Sequence, residues 1–329
     1  MKLSRRKLYV HVGPMKTGTT AIQTFLREHD DAVLIYPKSY LFAGAHHNLV
    51  FNFFGDRRVG LSGVTDVSEH FEEIRALTKD NSRDVLISSE ALVPMAWQPR
   101  RVDPGALIRA IIPYIGTPTP EVEILVACRE HFSWAASAYN HTLKGNAKWD
   151  PDEFLGAYSS ALCFAPIIRS MEESGFRVTV LNYHPSLSWV ERFLTHVGFS
   201  AQMLPRTQAM NVSMSPAGMI MKLAANRALP GEETSRKLRR KLRNLPEFGT
   251  PSQFIFGAEA AKVAECFFSE DRRILSEKFA IELPRPDLNS PSMFFVTAQD
   301  LAAIETLAGD IGVDGPAILG VARQFLRSA

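Results

Sequence analysis

The stretch that most limits what this chain can become is Leu8-Tyr9-Val10-His11-Val12 followed by Gly13-Pro14-Met15-Lys16-Thr17-Gly18-Thr19-Thr20. The first five residues form an apolar run of the length of a buried strand. Gly13 to Gly18 interrupts it, and a helical pattern starts near Thr19, with Ile22, Phe25 and Leu26 on one face. A helix N-terminus presents unpaired backbone N–H groups and the positive end of a dipole, so a glycine loop feeding one is a ready anion site. Thr19 and Thr20 add hydroxyl donors, and Lys16 adds a cation. The plainer account is a glycine turn with an incidental lysine.

Three more β-rich runs, residues 85–89, 122–128 and 177–181, each follow a helical stretch. That alternation predicts an α/β fold: a parallel sheet flanked by helices, with a phosphate-binding loop after strand 1. Ligands of such sheets lie beyond the carboxyl ends of the strands. After Leu204 the pattern turns helical, with helices predicted over 216–229, 232–245, 258–279 and 298–326 and surface loops over 248–252 and 283–292. The expectation is one domain over 1–329, with an α/β core to 204 and a mainly helical part of the same domain from 205 to 329.

With 37 Lys and Arg against 35 Asp and Glu, the net charge of +2 sets up no field that would draw the chain to nucleic acid or to a membrane, so any anion site is local. Cys128, Cys163 and Cys266 lie far apart without metal-ligand spacing, and their odd number argues against a disulfide framework. The apolar stretch behind the basic N-terminus is too short for a signal peptide, and no run suggests a membrane span. A cytoplasmic protein is expected.

The loop departs from the triphosphate-binding pattern, Gly, four residues, Gly, Lys, Ser/Thr. Thr19 holds the lysine position and the lysine, Lys16, lies inside the loop. With the strand before it, Lys-Thr-Gly-Thr-Thr resembles the 5'-phosphosulfate loop of sulfotransferases that use 3'-phosphoadenylyl sulfate (PAPS). By that resemblance Gly13, Lys16, Thr17, Gly18, Thr19 and Thr20 would bind the donor's 5' end. Lys16 would steady charge on the bridging oxygen as the bond to sulfur breaks, with no metal required.

Arg129 closes the run 122–128, and Ser137 follows eight residues later on a predicted helix. This is similar to the family's 3'-phosphate site, where arginine's planar fork binds phosphate oxygens and a hydroxyl adds a donor. A strand-end arginine paired with a carboxylate, and a serine facing water, is the ordinary alternative. A third likeness runs from Val178 to Tyr183, then from Trp189 to Leu194 and Gly198-Phe199. His184 stands where the family has glutamate, which leaves Tyr183 as either a site residue or core. The resemblance spans about residues 9–199. Asn211-Val212-Ser213 and the helix to Asn226 look like bacterial members, with no chemistry assigned.

The family's base is a histidine or a glutamate. Glu90, after the run 85–89, is the first choice, and His47 and His46 come second, since an unperturbed imidazole suits general-base work. Glu90 as a capping carboxylate, and the histidines in a polar loop above Phe51, Phe53 and Phe54, are the competing accounts. Residues 41–54 read as an acceptor-pocket wall or as core. The basic run 235–243, with Leu238 and Leu242, fits an acidic glycan, a peripheral membrane contact, the donor's 3'-phosphate or a solvated helix face.

The resemblance implies sulfuryl transfer from PAPS to an acceptor hydroxyl on a carbohydrate or glycolipid, leaving adenosine 3',5'-bisphosphate (PAP). A phosphate-loop kinase or NTPase and a silent nucleotide-binding protein are the alternatives. Against the kinase stand the missing Gly-Lys-Ser/Thr and the absence of an Asp ending the run 85–89.

Overall fold

The computed structural model describes residues 5–29, 33–55, 66–93, 102–116, 118–183, 187–200, 214–229, 238, 242, 254–288 and 292–327. The chain divides into two compact units, one made of residues 1–129, 163–210 and 271–283, the other of 130–162, 211–270 and 284–329.

The first unit is built on an all-parallel five-stranded sheet in the order β2-β3-β1-β4-β5. The strands are β1 (Lys7–Gly13), β2 (Leu34–Ile35), β3 (Asp84–Ser88), β4 (Glu121–Cys128) and β5 (Arg177–Asn182). The central strands β1, β3 and β4 are runs of Val, Ile and Leu rather than alternating patterns, as expected when helices cover both faces. Val10 of β1 lies in register with Ile87 of β3 and Ile124 of β4. The three long runs expected beyond β1 are present, and the two-residue β2, too short to show any period, joins them at the sheet edge.

Helices α1 (Thr19–Glu28), α2 (His47–Phe53), α3 (Val67–Thr78) and α4 (Pro104–Ile115) follow in this unit. Helix α1 buries Ile22, Phe25 and Leu26, the predicted stripe. These side chains meet Tyr9, Leu86 and Leu125 of the sheet and Trp189 and Phe193 of a later helix in one apolar core. Asp66 and Asp103 cap α3 and α4 through their carboxylates, and Pro104 sits in the first turn of α4, where its missing N–H costs nothing.

Helices α5 (His131–Lys144) and α6 (Pro151–Tyr158) belong to the second unit, while α7 (Phe164–Glu172) and α8 (Leu187–His196) return to the first. Among the described residues the span Pro151–Glu172 alone is long and apolar enough by composition to cross a membrane, and it is only marginally so, consistent with the expectation of no clear transmembrane segment. It is half buried, and a 3-10 turn at Ser159–Leu162 divides it into α6 and α7, so its apolar residues serve cores. Helix α9 (Pro216–Ala228) of the second unit is buried almost all round. Lys222, 0% exposed, donates to Asn226, whose amide donates to the carbonyls of Leu143 (3.0 Å) and Ala147 (2.7 Å) at the end of α5.

Helix α10 (Ala258–Phe279) matches its predicted span, and its residues from Asp271 onward count with the first unit. The predicted segment 298–326 is two helices, α11 (Ala298–Asp310) and α12 (Gly315–Ala322), because Gly312 takes φ 66° and Asp314 caps a new helix at Ala317 N. The predicted helix 232–245 and loop 248–252 lie outside the described residues, apart from Leu238 and Leu242, which are buried.

Because the sheet is parallel, the residues that follow β1, β3, β4 and β5 all emerge at one edge, and β1 lies between strands reached in opposite directions. Leu86, fully buried on β3 in the core just described, tests this layer. Leu86→Ala is expected to cost about 2–5 kcal/mol, measured by urea unfolding followed by circular dichroism.

Candidate functional site

The loop after β1 is shaped by two glycines that no other residue could replace. Gly13 has φ 88°, and a Cβ there would lie 2.9 Å from Glu90 Cγ. Gly18 has φ 77°, and its Cβ would meet Tyr183 Cε2 at 2.6 Å and Trp189 Nε1 at 2.7 Å. Lys16 itself sits at φ 68°, a left-handed conformation that is strained for a side chain with a Cβ and recurs at functional sites. Thr17 Oγ1 donates to the Pro14 carbonyl at 2.6 Å and closes the loop on itself. That hydroxyl holds the loop's shape, so Thr17 can serve a ligand only through its backbone.

Gly18 caps α1 without a side-chain hydrogen bond, and the first turn carries no acidic residue, so the positive end of the helix is uncompensated from within. Thr20, in that turn, is partly exposed. Thr19, also expected as a donor to ligand, instead gives its hydroxyl to Glu90 Oε1.

Glu90 opens a 3-10 turn, Glu90–Leu92, immediately after β3. Its other oxygen accepts from Gln23 Nε2 at 3.0 Å, and the same amide nitrogen donates to Ser88 Oγ at 3.1 Å. Thr19 and Gln23 are four residues apart on α1 and therefore share a face, which lets one helix grip the carboxylate twice. Burial alone would raise the Glu90 pKa, but the neighbouring His47 and the hydrogen bonds from Thr19 and Gln23 outweigh it and hold the carboxyl below its usual range.

Lys16 is half-buried, and the desolvation it suffers pulls its pKa below the ordinary lysine value. The Glu90 carboxylate opposes the shift, and the Arg129 guanidinium adds to it. Arg129, directly after β4, donates from Nη1 to the Lys16 carbonyl at 2.8 Å, and its guanidinium lies 5.2 Å from the centre of the Tyr183 ring. Tyr183 follows β5, where its N–H donates to the Cys128 carbonyl at 2.6 Å, and its ring meets Trp189 edge-on at 5.4 Å. The ends of four strands thus bring Lys16, Glu90, Arg129 and Tyr183 together.

The two histidines separate clearly. His46 is fully buried, its Nδ1 accepts from the Ser88 N–H at 3.1 Å, and its Nε2 lies 3.0 Å from the Pro37 carbonyl, which only an N–H can satisfy. Both ring nitrogens are used, and burial drives the pKa down to about 3. His46 is therefore a structural residue, and its candidacy as a base is withdrawn. His47 is the first residue of α2, with a side chain 19% exposed. Its Nδ1 is 2.8 Å from Ser89 Oγ, and its Nε2 is 3.5 Å from Glu90 Oε2. A serine, a histidine and a carboxylate in a row suggest a hydrolytic triad, but Ser89 is 0% exposed and no substrate carbonyl could reach it.

Ser137 lies on α5 of the second unit and is partly exposed. The start of that helix is capped by its own Glu130 carboxylate, which accepts from Phe132 N (2.9 Å) and Ser133 N (2.7 Å). His184, Asn211, Val212 and Ser213, and the basic side chains of the run 235–243, lie outside the described residues. Among the described residues no group of three or more His, Cys, Asp and Glu side chains is arranged to hold a metal. His196, discounted as a ligand, contacts buried Glu123 at 3.0 Å.

Gln23 and Ser89 are the site residues that the sequence reading missed. Gln23 carried a signal, as a polar residue four positions after Thr19 on the buried side of an amphipathic helix. Ser89 carried none, because its role depends on α2 arriving beside β3.

His11, fully buried behind the loop with its pKa lowered to about 4 mainly by burial, joins His46 in setting the acid limit of this unit. Both folded-state pKa values lie below the ordinary 6.5, so as pH falls through 6.5 the unfolded chain takes up protons that the folded one refuses. Stability is therefore present above pH 6.5 and is lost on acidification toward 4 and then 3. The expected slope is up to about 1.4 kcal/mol per pH unit for each histidine. Urea unfolding at pH 7, 6 and 5 measures it, and His46→Gln is expected to flatten the slope; a stability independent of pH over that range contradicts the assignment.

A scan against models of known protein families finds no match to this chain, and a search of curated proteins finds none either.

Proposed function

We propose that this chain is a sulfotransferase that moves a sulfuryl group from PAPS to an acceptor hydroxyl, with the loop from Gly13 to Thr20 receiving the donor's 5' phosphosulfate. The observation that carries the reading is Lys16 in its left-handed turn before the start of α1, which has no side-chain cap, with Arg129 donating to its carbonyl at 2.8 Å and the Glu90 carboxylate acting on its charge. A half-buried cation beside a second cation is stabilised by an anion carrying more than one charge, and a helix N-terminus strengthens that preference. Arg129 would take the 3'-phosphate, with Tyr183 beneath its guanidinium.

In the reaction the acceptor oxygen forms a bond to sulfur while the bond from sulfur to the bridging phosphate oxygen breaks. The electron pair stays on that oxygen, where Lys16 stabilises it, and PAP leaves. The acceptor's proton passes to the Glu90–His47 pair. The acceptor class that accompanies this reading is a carbohydrate or glycolipid hydroxyl.

A second reading has one observation in its favour. Thr19 and Glu90 are paired beside the loop, much as a loop threonine and a strand-end carboxylate hold magnesium in phosphate-loop NTPases. Magnesium-dependent ATP turnover without use of PAPS would favour it.

Calorimetric titration with PAP tests the first reading, with binding expected in the micromolar range or tighter and no heat at millimolar PAP sinking it. Lys16→Ala is expected to lower turnover of PAPS by about 100-fold or more. Arg129→Ala is expected to weaken PAP binding by about 1.5–3 kcal/mol, the worth of a charge-assisted hydrogen bond.

A further inference from the structure

We propose that Trp149 and Tyr158 of the second unit form a carbohydrate-binding surface, with the ring of Trp149 packing against the C–H face of a neutral sugar. The proposal stands apart from the sulfuryl-transfer reading, because none of its residues belongs to the loop after β1 or to the strand ends.

The connection from α5 to α6 is held along its length. Asn146 takes φ 72°, and the Ala147 N–H donates back to the Thr142 carbonyl at 3.2 Å. Three consecutive carbonyls, from Ala147 to Trp149, are then each met by a side chain. Asn226 of α9 donates to Ala147 at 2.7 Å, Arg227 Nε donates to Lys148 at 2.7 Å, and the Tyr139 hydroxyl donates to Trp149 at 3.1 Å. The Asp150 N–H donates to Glu153 Oε2 at 2.8 Å in the capping box that opens α6. Lys222, fully buried, donates to Asn226 and so backs this arrangement from within α9. Burial of a lysine is unfavourable, and here it supports the residue that fixes the loop.

What this firm loop presents is an indole. Trp149 is 39% exposed, and its ring meets that of Tyr158 edge-on, at 5.4 Å and 76°. Tyr158 is rooted in turn, its ring 5.2 Å from that of fully buried Phe154. Fold stability alone would favour turning the indole inward, since its burial removes a large apolar area from water. An aromatic side chain fixed at the surface loses little freedom when a ligand lands on it, which is how rigid aromatic anchors contribute to binding.

The neighbouring charges select the ligand class. Asp150 and Glu153 face Arg227 at 3.7 and 3.0 Å, Asp152 accepts from the Gly257 N–H at 2.7 Å, and exposed Lys148 precedes Trp149 in the loop. Three carboxylates against two cations set up no strong field for a charged partner. A single indole is also a small anchor for a protein, whose stable complexes bury about 1,200–2,000 Å². A neutral molecule with an apolar face and hydroxyls around its rim fits both facts. The C–H groups of a pyranose ring pack on the electron-rich face of an indole, and its hydroxyls match the carboxylate acceptors and guanidinium donors that flank Trp149.

NMR on the full chain labelled with 15N tests the surface, because the four tryptophans give four indole N–H signals and Trp149→Phe identifies the one at issue. The probes are cellohexaose, chitohexaose and maltohexaose, each raised to millimolar concentration, with choline as the cation that would suit an aromatic pair beside carboxylates. The Trp149 signal is expected to shift and saturate with at least one glycan. Without ligand, its heteronuclear NOE is expected to match that of fully buried Trp134. Trp149→Ala is expected to weaken glycan binding by about tenfold while the Trp134 signal, the folding control, stays in place. No shift with any of the three glycans overturns the proposal, as does undiminished binding by Trp149→Ala, a response to choline alone, or an indole as mobile as a chain terminus. A Trp149 signal that broadens with protein concentration before any glycan is added places a second copy of the chain on the ring and overturns it likewise. PAP enters none of these measurements, so failure of the sulfuryl-transfer reading leaves their outcome untouched.

Discussion

The grip of α1 on Glu90 is the constraint from which the rest of the site follows. Thr19 and Gln23, one helical turn apart, hold the two oxygens of a carboxylate that emerges from the neighbouring strand β3. That contact fixes where α1 begins relative to β1 and β3, and so fixes the path of the loop between them. Gly13 has to be glycine because Glu90 fills the space that a side chain would need. The charge of Lys16 is balanced in part by the same carboxylate. One buried anion therefore decides the loop's course, the state of its lysine and the environment of His47.

The electrostatics at this edge gather several charges around the loop. Desolvation and the Arg129 guanidinium pull the Lys16 pKa down, the Glu90 carboxylate opposes them, and the start of α1 adds partial positive charge. Hydrogen bonds within the loop point the same way. Thr17 and Thr19 spend their hydroxyls on the loop and on Glu90, so an anion held there, as proposed, would be met by backbone N–H groups, Lys16 and Thr20. A rigid loop whose side chains are committed to its own shape is preorganised, and preorganisation is where most electrostatic catalysis originates.

Histidine placement shows how narrow the distinction between structure and chemistry is. His46 and His47 are adjacent, and nothing in their order separates them. At the start of α2 one ring turns inward, where backbone groups of Ser88 and Pro37 use both of its nitrogens, and the other turns outward to meet Ser89 and Glu90. The inward ring carries stability and an acid limit; the outward one keeps a polar face within reach of solvent.

The sequence determined β1, β3, β4, β5 and α1 on its own. Apolar runs without alternation specified buried parallel strands, the spacing of Ile22, Phe25 and Leu26 specified the inner face of α1, and the glycines of the loop announced a break between strand and helix. These are local consequences of side-chain pattern and φ/ψ preference, so they can be read from one chain. It also placed Lys16, Glu90, Arg129 and Tyr183 after four strands, which a parallel sheet necessarily brings to one edge. What only the tertiary structure decided is how those groups engage one another. Glu90 faces α1 and is saturated by Thr19 and Gln23, His46 is used by the backbone, and Ser89 stands against His47. Each of these depends on strands and helices far apart in the chain meeting within about 3 Å, a distance at which hydrogen bonds form or fail and which no local pattern encodes.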